Sequence, residues 1–189
     1  LSEQVKKYSK NKKVLDIGTG SGLQAETAIE AGAKSVLAAD IDEESINFTK
    51  QKKLKKLKVI KSSLFQKVKG KIDLIIFNPP YLPLDKREDK ESRKATTGGK
   101  NGDEIILKFL NDLLNHLNKG GVSLLLVSSL TPKNRILSLL KKLNLKNKSA
   151  MIETTPASTT TTVATSMSRL PMWESSCAST PSSSVLSSF

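Results

Sequence analysis

Residues 13–22, KVLDIGTGSG, join a short apolar run to a glycine-rich turn. Lys13–Ile17 is predicted to form a β-strand, and Ser21–Ala31 is predicted to continue as a helix. Glycines between a strand and a helix allow positive φ and let a ligand approach the backbone at the start of the helix. The stretch therefore predicts a strand–turn–helix unit with a small-molecule site at its turn.

The alternation of apolar strands and amphipathic helices continues to residue 148. Alternating β and α units predict an α/β fold with a mostly parallel sheet and helices on both faces. Further strands are predicted at Ser35–Asp40, Leu57–Ile60, Ile72–Phe77 and Val122–Val127, and further helices at Glu43–Lys56, Asp103–Leu117 and Asn134–Leu143.

The composition changes abruptly after residue 148, where the last lysine lies. Residues 1–148 are predicted to form the folded domain. Residues 149–189 are rich in Ser and Thr, and we expect them to be a disordered tail or a segment that is not native to the domain. The β-branched stretch Thr160–Thr165 is compatible with a short strand, but its composition alone does not predict one.

The composition also excludes several kinds of site. The chain of 189 residues has a formal net charge of +13, with His116 and Cys177 as its only histidine and cysteine. A Cys/His zinc site and an internal disulfide are thereby excluded, and no metal site is predicted. The lysine excess favours polyanionic partners, although a solvated basic surface is an equally good interpretation. No membrane span or signal peptide is predicted, so we expect a cytoplasmic protein.

A second predicted strand ends at Asp40, about twenty residues after the glycine turn. A carboxylate at that place can accept hydrogen bonds from both hydroxyls of a ribose. The turn itself reads G-x-G-x-G, which departs from the dinucleotide fingerprint G-x-G-x-x-G. Asp16 beside the turn would repel a pyrophosphate and attract a cation. S-adenosylmethionine (AdoMet) has a sulfonium and an amino group but no phosphate, so these charges favour it over NAD.

The fourth predicted strand ends in a polar and rigid stretch, Asn78-Pro79-Pro80-Tyr81. The carboxyl ends of parallel strands share one crevice, so we expect Asn78 to lie beside the cofactor. The Asn78 amide and a proline-fixed carbonyl can accept hydrogen bonds from one planar –NH2 group and turn its lone pair toward an electrophilic methyl. Tyr81 would cover one face of that planar group. A simple strand-ending turn is the alternative interpretation.

These motifs together resemble the class I AdoMet-dependent methyltransferases, and within them the HemK-type glutamine methyltransferases of translation release factors. The sequences DIGTGSG, NPPY and TGGKNG, with Asp40, carry the resemblance to the archaeal and eukaryotic branch. It implies a Rossmann-like sheet, AdoMet as cofactor, and transfer of a methyl group to the side-chain amide nitrogen of a glutamine. Enzymes that methylate the adenine amine of RNA or DNA also use NPPY, so that activity is the first alternative, and an inactive remnant or binding module is the second.

The resemblance also implies roles for individual residues. Catalytic roles fall to Asn78, Pro79, Pro80 and Tyr81. Cofactor-binding roles fall to Asp16, Gly18, Thr19, Gly20, Gly22, Asp40, Ile41, Ser63, Leu64 and Asn78. A small zinc-binding activator protein that pairs with the edge strand near Leu57–Ile60 is implied as a partner.

The chain departs from the family pattern in three places. Ser63 stands where the family has an acid that contacts the adenine amine. A cofactor-covering N-terminal segment and the last two strands of the sheet are expected to be missing, so the chain is interpreted as truncated at both ends. Loss of those strands would leave Val122–Val127 as an exposed apolar edge.

Overall fold

The computed structural model describes residues 1–80, 101–128, 131–143, 146–148 and 160–166. The helices are α1 (Ser2–Ser9), α2 (Leu23–Glu30), α3 (Glu43–Gln51), α4 (Glu104–His116) and α5 (Lys133–Lys142). The strands are β1 (Lys13–Ile17), β2 (Ser35–Asp40), β3 (Leu57–Lys61), β4 (Ile72–Phe77), β5 (Leu117–Ser128), β6 (Lys146–Lys148) and β7 (Thr160–Ser166). Helix α1 was not predicted by the sequence pattern.

The strands form one sheet in the order β3-β2-β1-β4-β5-β7-β6. The first five are parallel, and β7 pairs antiparallel with both β5 and β6. The predicted α/β class with a mostly parallel sheet is confirmed. Side chains alternate along each strand, so that one face of β1 and β4 buries Leu15, Ile17, Ile75 and Phe77. The opposite face buries Val14, Leu74 and Ile76.

The expectation that the sheet lacks its last two strands is wrong for the described residues. Seven residues of β7, from Thr160 to Ser166, lie opposite Ser128 to Val122 of β5. Threonine and valine are β-branched and suit a paired strand, so the Ser/Thr-rich composition did not exclude a strand here. The boundary at residue 148 stays a prediction, but β7 lies beyond it, and β5 is an inner strand of the sheet.

One predicted helix end needs correction, and two local features were not predicted. Helix α3 ends at Gln51 rather than near Lys56, because Lys53 and Lys56 have φ of +49° and +71° and cannot continue a helix. The Gly120-Gly121 pair lies inside β5, where a Cβ at Gly121 would sit only 2.8 Å from the Leu117 side chain. His116 is half-buried, and its ring stacks on Phe65 with centroids 4.6 Å apart.

The helices belong to the core through their apolar sides. Phe109 of α4 is fully buried and stacks against Phe65 and Phe77, with ring centroids 5.4 and 4.7 Å apart. On α3, Ile46 is buried while Phe48 is 53% exposed, so these two side chains lie on different sides of the helix. Among the described residues, none of the helices combines the length and the apolar character needed to cross a bilayer.

The pairing of β7 with β5 can be tested by truncation. A chain ending at residue 158 loses β7 and leaves the β5 edge unpaired, so we expect its free energy of unfolding to fall by at least about 2 kcal/mol, or roughly 4–8 °C in Tm. We also expect it to scatter more light on heating. A chain ending at residue 168 keeps β7 and serves as the control. Equal Tm and equal scattering in the two chains would contradict the pairing.

Candidate active site

The turn after β1 and the end of β4 lie side by side. A Cβ placed on Gly18 would be 3.7 Å from a ring carbon of Phe77 and 3.9 Å from the carbonyl oxygen of Asn78. The Gly18 backbone N–H donates to the Ala39 carbonyl at 2.8 Å, which ties the same turn to the end of β2. The carboxyl ends of β2, β1 and β4 therefore form one crevice, as predicted.

The Asp40 carboxylate holds this crevice together. One of its oxygens accepts the Gly20 N–H at 2.8 Å, and the other accepts the Asp42 N–H at 3.0 Å. Its backbone carbonyl accepts the Ser62 N–H at 2.7 Å. Each carboxylate oxygen can accept a second hydrogen bond, so Asp40 retains capacity for hydroxyl donors of a ligand. The sequence predicted the ligand contact but not these three backbone contacts.

Thr49 is a site residue that the sequence analysis missed. Its side chain is fully buried, and its hydroxyl donates to the Gly20 carbonyl at 3.0 Å. The peptide groups on both sides of Gly20 are thus held, the N–H by Asp40 and the carbonyl by Thr49. No sequence motif marks a hydroxyl on a helix nine residues after Asp40. Thr49 reaches the glycine turn only because α3 packs against that turn.

The three glycines of the turn have φ of +63° (Gly18), +51° (Gly20) and +75° (Gly22), which side chains other than glycine rarely adopt. A Cβ on Gly20 would meet nothing within 4 Å, so the backbone there borders open space that a ligand can fill. Gly22 is different, because a Cβ there would lie 3.0 Å from the Thr49 side chain. Gly22 therefore lets α2 pack closely against α3, and its contact with a cofactor stays a prediction.

Asp16 lies beneath the turn, buried with 2% of its surface exposed. The Thr19 hydroxyl donates to its carboxylate at 2.7 Å. Burial raises the pKa of Asp16 from 3.8 to about 7, and the nearby Asp40 charge acts in the same direction, while hydrogen bonds from Thr19 and from the Ala25 backbone only partly oppose them. A cation bound at the turn would stabilise the charged form of Asp16.

The other predicted cofactor residues follow β2 and β3. Ile41, directly after Asp40, is 67% exposed and offers an apolar surface at the crevice. Leu64 has φ of +47°, and its carbonyl accepts a hydrogen bond from the buried Ser62 hydroxyl at 3.1 Å. Such backbone strain in a side-chain-bearing residue is common at binding sites. Ser63 and Leu64 lie at the edge of a surface depression of about 530 Å³ that continues along α4 past Lys108 to His116.

The acceptor side of the crevice begins at Asn78. Asn78 is exposed, Pro79 is buried, and Pro80 is half-buried, so the buried Pro79 fixes the direction in which the chain leaves β4. The polar amide thus follows a buried strand at the open end of the crevice. Tyr81 lies outside the described residues, and its predicted place over the acceptor stays a prediction.

The described residues contain no group of three or more His, Cys, Asp or Glu side chains arranged to hold a metal ion. The described part of the site consists of a backbone turn, the acids Asp16 and Asp40, the hydroxyls of Thr19 and Thr49, and the amide of Asn78. Such a set can orient neutral and cationic groups by hydrogen bonding.

The chain was compared with known families and relatives. The model of the methyltransferase small domain family matches residues 1–152. A Methanocaldococcus jannaschii protein with the name "Putative protein N5-glutamine methyltransferase" is 42% identical over 142 residues, which are 72% of this chain and 72% of that protein. The release factor glutamine methyltransferase of Borreliella burgdorferi is 37% identical over 122 residues, or 59% of this chain and 43% of the relative.

Among solved structures, the E. cuniculi Mtq2–Trm112 complex responsible for methylation of the translation termination factor eRF1 is similar in fold. Its TM-score is 0.68 at 19% identity, and the match covers 88% of this chain and 94% of that chain. At this level of identity the likeness concerns the fold of the sheet and its helices.

The buried acid makes stability depend on pH. Between pH 3.8 and about 7 the unfolded chain loses the Asp16 proton while the folded chain keeps it, so the contribution of Asp16 to stability falls as pH rises through this window and levels off above it. The unfolding free energy of the wild type should therefore fall between pH 5 and 7.5. We expect this fall, measured by urea denaturation, to be smaller in Asp16→Asn by about 1 kcal/mol or more. The exposed Asp112→Asn is the control, and an Asp16→Asn slope equal to that of the wild type would contradict the assignment.

Proposed function

Because the chain belongs to the methyltransferase small domain family, whose members are AdoMet-dependent methyltransferases, we propose that it methylates the side-chain amide nitrogen of a glutamine in a translation release factor. One observation carries this proposal. The end of β4, with Asn78 and Pro79, lies against the glycine turn after β1, where the Asn78 carbonyl oxygen is 3.9 Å from the Cβ position of Gly18. A donor at the turn and an acceptor at Asn78 would therefore be neighbours.

The residues at the turn fit AdoMet. The unused acceptor capacity of Asp40 suits the ribose hydroxyls, and the exposed Ile41 beside it suits the adenine ring. The open space beside Gly20 admits a ligand close to the backbone. Asp16, whose pKa of about 7 leaves it partly ionised near neutral pH, suits the positively charged methionine end. AdoMet, when bound, supplies an electrophilic methyl group on sulfur.

The acceptor residues would orient the glutamine amide without acid–base chemistry by histidine. The Asn78 side-chain oxygen and the Pro79 carbonyl oxygen would each accept a hydrogen bond from one N–H of the glutamine –NH2 group. This arrangement holds the plane of the amide fixed and directs the nitrogen lone pair toward the glycine turn. Proximity and orientation supply much of the rate in such a site, and the rigid Pro79-Pro80 segment restricts competing orientations.

Glutamine in a release factor is favoured as the acceptor by the relatives. The relatives from M. jannaschii and B. burgdorferi carry names of glutamine methyltransferases, the second for release factors, and the first matches 72% of its own length. Adenine amines in RNA or DNA are the alternative acceptors, because the same Asn-Pro-Pro arrangement can hold any planar amine. A cytoplasmic location, where release factors act, is part of the proposal.

A small zinc-binding activator protein is part of the proposal as well. The fold neighbour from E. cuniculi is a complex with Trm112. In the part of the sheet that the structure describes, β3 is an edge strand, and Leu57, Val59 and Ile60 of β3 are only partly buried. An extended segment of a partner can pair with such an edge through backbone hydrogen bonds.

The acceptor is identified by offering a release factor, rRNA and DNA in turn with labelled AdoMet. We expect label in the release factor, on a glutamine located by mass spectrometry. Label that enters only nucleic acid would contradict the proposal in favour of the adenine alternative. Absence of both label and AdoMet binding would indicate a chain without catalytic activity.

Asn78→Ala tests the role of the acceptor residue. Loss of one amide contact misplaces the nitrogen, so we expect the transfer rate to fall at least about 100-fold, a much larger factor than the change in the Kd for AdoMet measured by calorimetry. Asn115→Ala, an exposed asparagine on α4, is the control. Equal factors of loss in transfer and in AdoMet affinity would show that the Asn78 side chain serves the cofactor and not the acceptor.

A further inference from the structure

Eight exposed lysines among the described residues lie at or next to the amino-terminal ends of the parallel strands, opposite the candidate active site. We define this surface as the basic edge; all of its members are exposed. It contains Lys12 and Lys13 at β1, Lys34 before β2, Lys55 and Lys56 before β3, Lys69 and Lys71 before β4, and Lys119 near the start of β5.

Backbone contacts show that the basic edge is continuous. The Lys34 N–H donates to the Lys12 carbonyl at 2.8 Å, and the Val36 N–H donates to the Lys56 carbonyl at 2.9 Å. The lysines of β1, β2 and β3 are thereby neighbours. On the other side, Asp73 accepts the Lys13 N–H at 2.9 Å and the Asn118 side-chain amide at 2.6 Å.

The basic edge extends over about 19 Å, which is the width of the four strand spacings from β3 to β5.

Carboxylates near the basic edge are few among the described residues. Asp73 is half-buried, and its carboxylate accepts the two hydrogen bonds just described. Burial acts to raise its pKa, but those hydrogen bonds and the charges of Lys12 and Lys13 outweigh burial and leave the pKa of Asp73 below its usual value. Glu30 at the end of α2 and Asp112 in the last turns of α4 are further acids on this side of the sheet. The surplus of positive charge therefore remains large.

Acids among the described residues cluster at the opposite edge, where Glu43 pairs with Lys61 and Asp103 pairs with Arg135. Directly after β2, Asp42, Glu43 and Glu44 follow Asp40, and α4 begins with Asp103 and Glu104. A polyanion would be attracted to the basic edge, which lies about 17 Å from the active-site edge along the strands.

We propose that the basic edge binds the phosphate backbone of double-helical RNA and leaves the active-site edge free for the protein acceptor. The choice of RNA rests on the proposed function, because a release factor works on the ribosome, whose accessible phosphates belong to RNA. The residues that define the basic edge are lysines, which offer point charges and no planar fork for base recognition. Stacked single strands and base-specific contacts do not fit such a surface, whereas sequence-independent contact with a duplex backbone does.

The test compares two variants with the same change of charge. Lys12→Gln, Lys34→Gln and Lys119→Gln together remove three charges from the basic edge, and Lys61→Gln, Lys108→Gln and Lys133→Gln together remove three charges elsewhere. Binding of a labelled RNA duplex of about 20 base pairs is followed by fluorescence anisotropy between about 50 and 200 mM salt. We expect the basic-edge variant to bind at least about tenfold more weakly, with a log–log salt slope smaller by about 3, and the control to resemble the wild type.

Equal losses in both variants, no binding by the wild type at low salt, or tighter binding to a DNA duplex or to phosphatidylserine vesicles would overturn the proposal. Methylation of a release-factor peptide is measured in parallel and should be unchanged in the basic-edge variant. Failure of that reaction in the wild type would count against the proposed function alone, because the RNA titration does not depend on it.

Discussion

The Asp40 carboxylate is the constraint on which the site depends. A buried carboxylate is costly unless its oxygens are hydrogen-bonded, and here the partners are the N–H groups of Gly20 and Asp42. These bonds fix a turn whose glycines have positive φ, and the Ser62 contact with the Asp40 carbonyl fixes the loop after β3. The segments after β1, β2 and β3 are thus joined at one residue. The hydroxyl of Thr49 completes the arrangement from α3.

The sheet separates two kinds of chemistry. At the carboxyl ends of the strands, the acids Asp16 and Asp40 lie next to the exposed amide of Asn78, a combination suited to a cationic donor and a neutral acceptor. At the amino ends, exposed lysines dominate. Because the strands are parallel, each crossover returns to the same edge, and the chain can therefore place turn glycines and acids on one side and lysines on the other. The separation of charge is a consequence of topology as much as of composition.

The parts of the fold set by local pattern could be predicted from the sequence. The strand Ser35–Asp40 and the strand Ile72–Phe77 are apolar runs with clear ends, and both have the predicted bounds. The parts set by distant contacts could not. Gly120 and Gly121 lie in β5 at the place where its register against β4 shifts, and β7 forms because β5 provides a partner. The contact of Thr49 with the turn and the raised pKa of Asp16 both depend on burial, and the spacing of residues in the sequence does not show which of them are buried.

The most direct measurement is calorimetric titration of AdoMet into Asp40→Asn. An asparagine cannot offer acceptor oxygens to both Gly20 and Asp42, so the turn loses a hydrogen bond and the ribose site loses an acceptor. We expect the affinity for AdoMet to fall at least about tenfold, with an unchanged circular dichroism spectrum. Asp42→Asn has the same change of charge two residues away and keeps an effective helix cap for Ser45, so its affinity should stay near that of the wild type. Equal affinities for Asp40→Asn and the wild type would contradict the central role of this carboxylate.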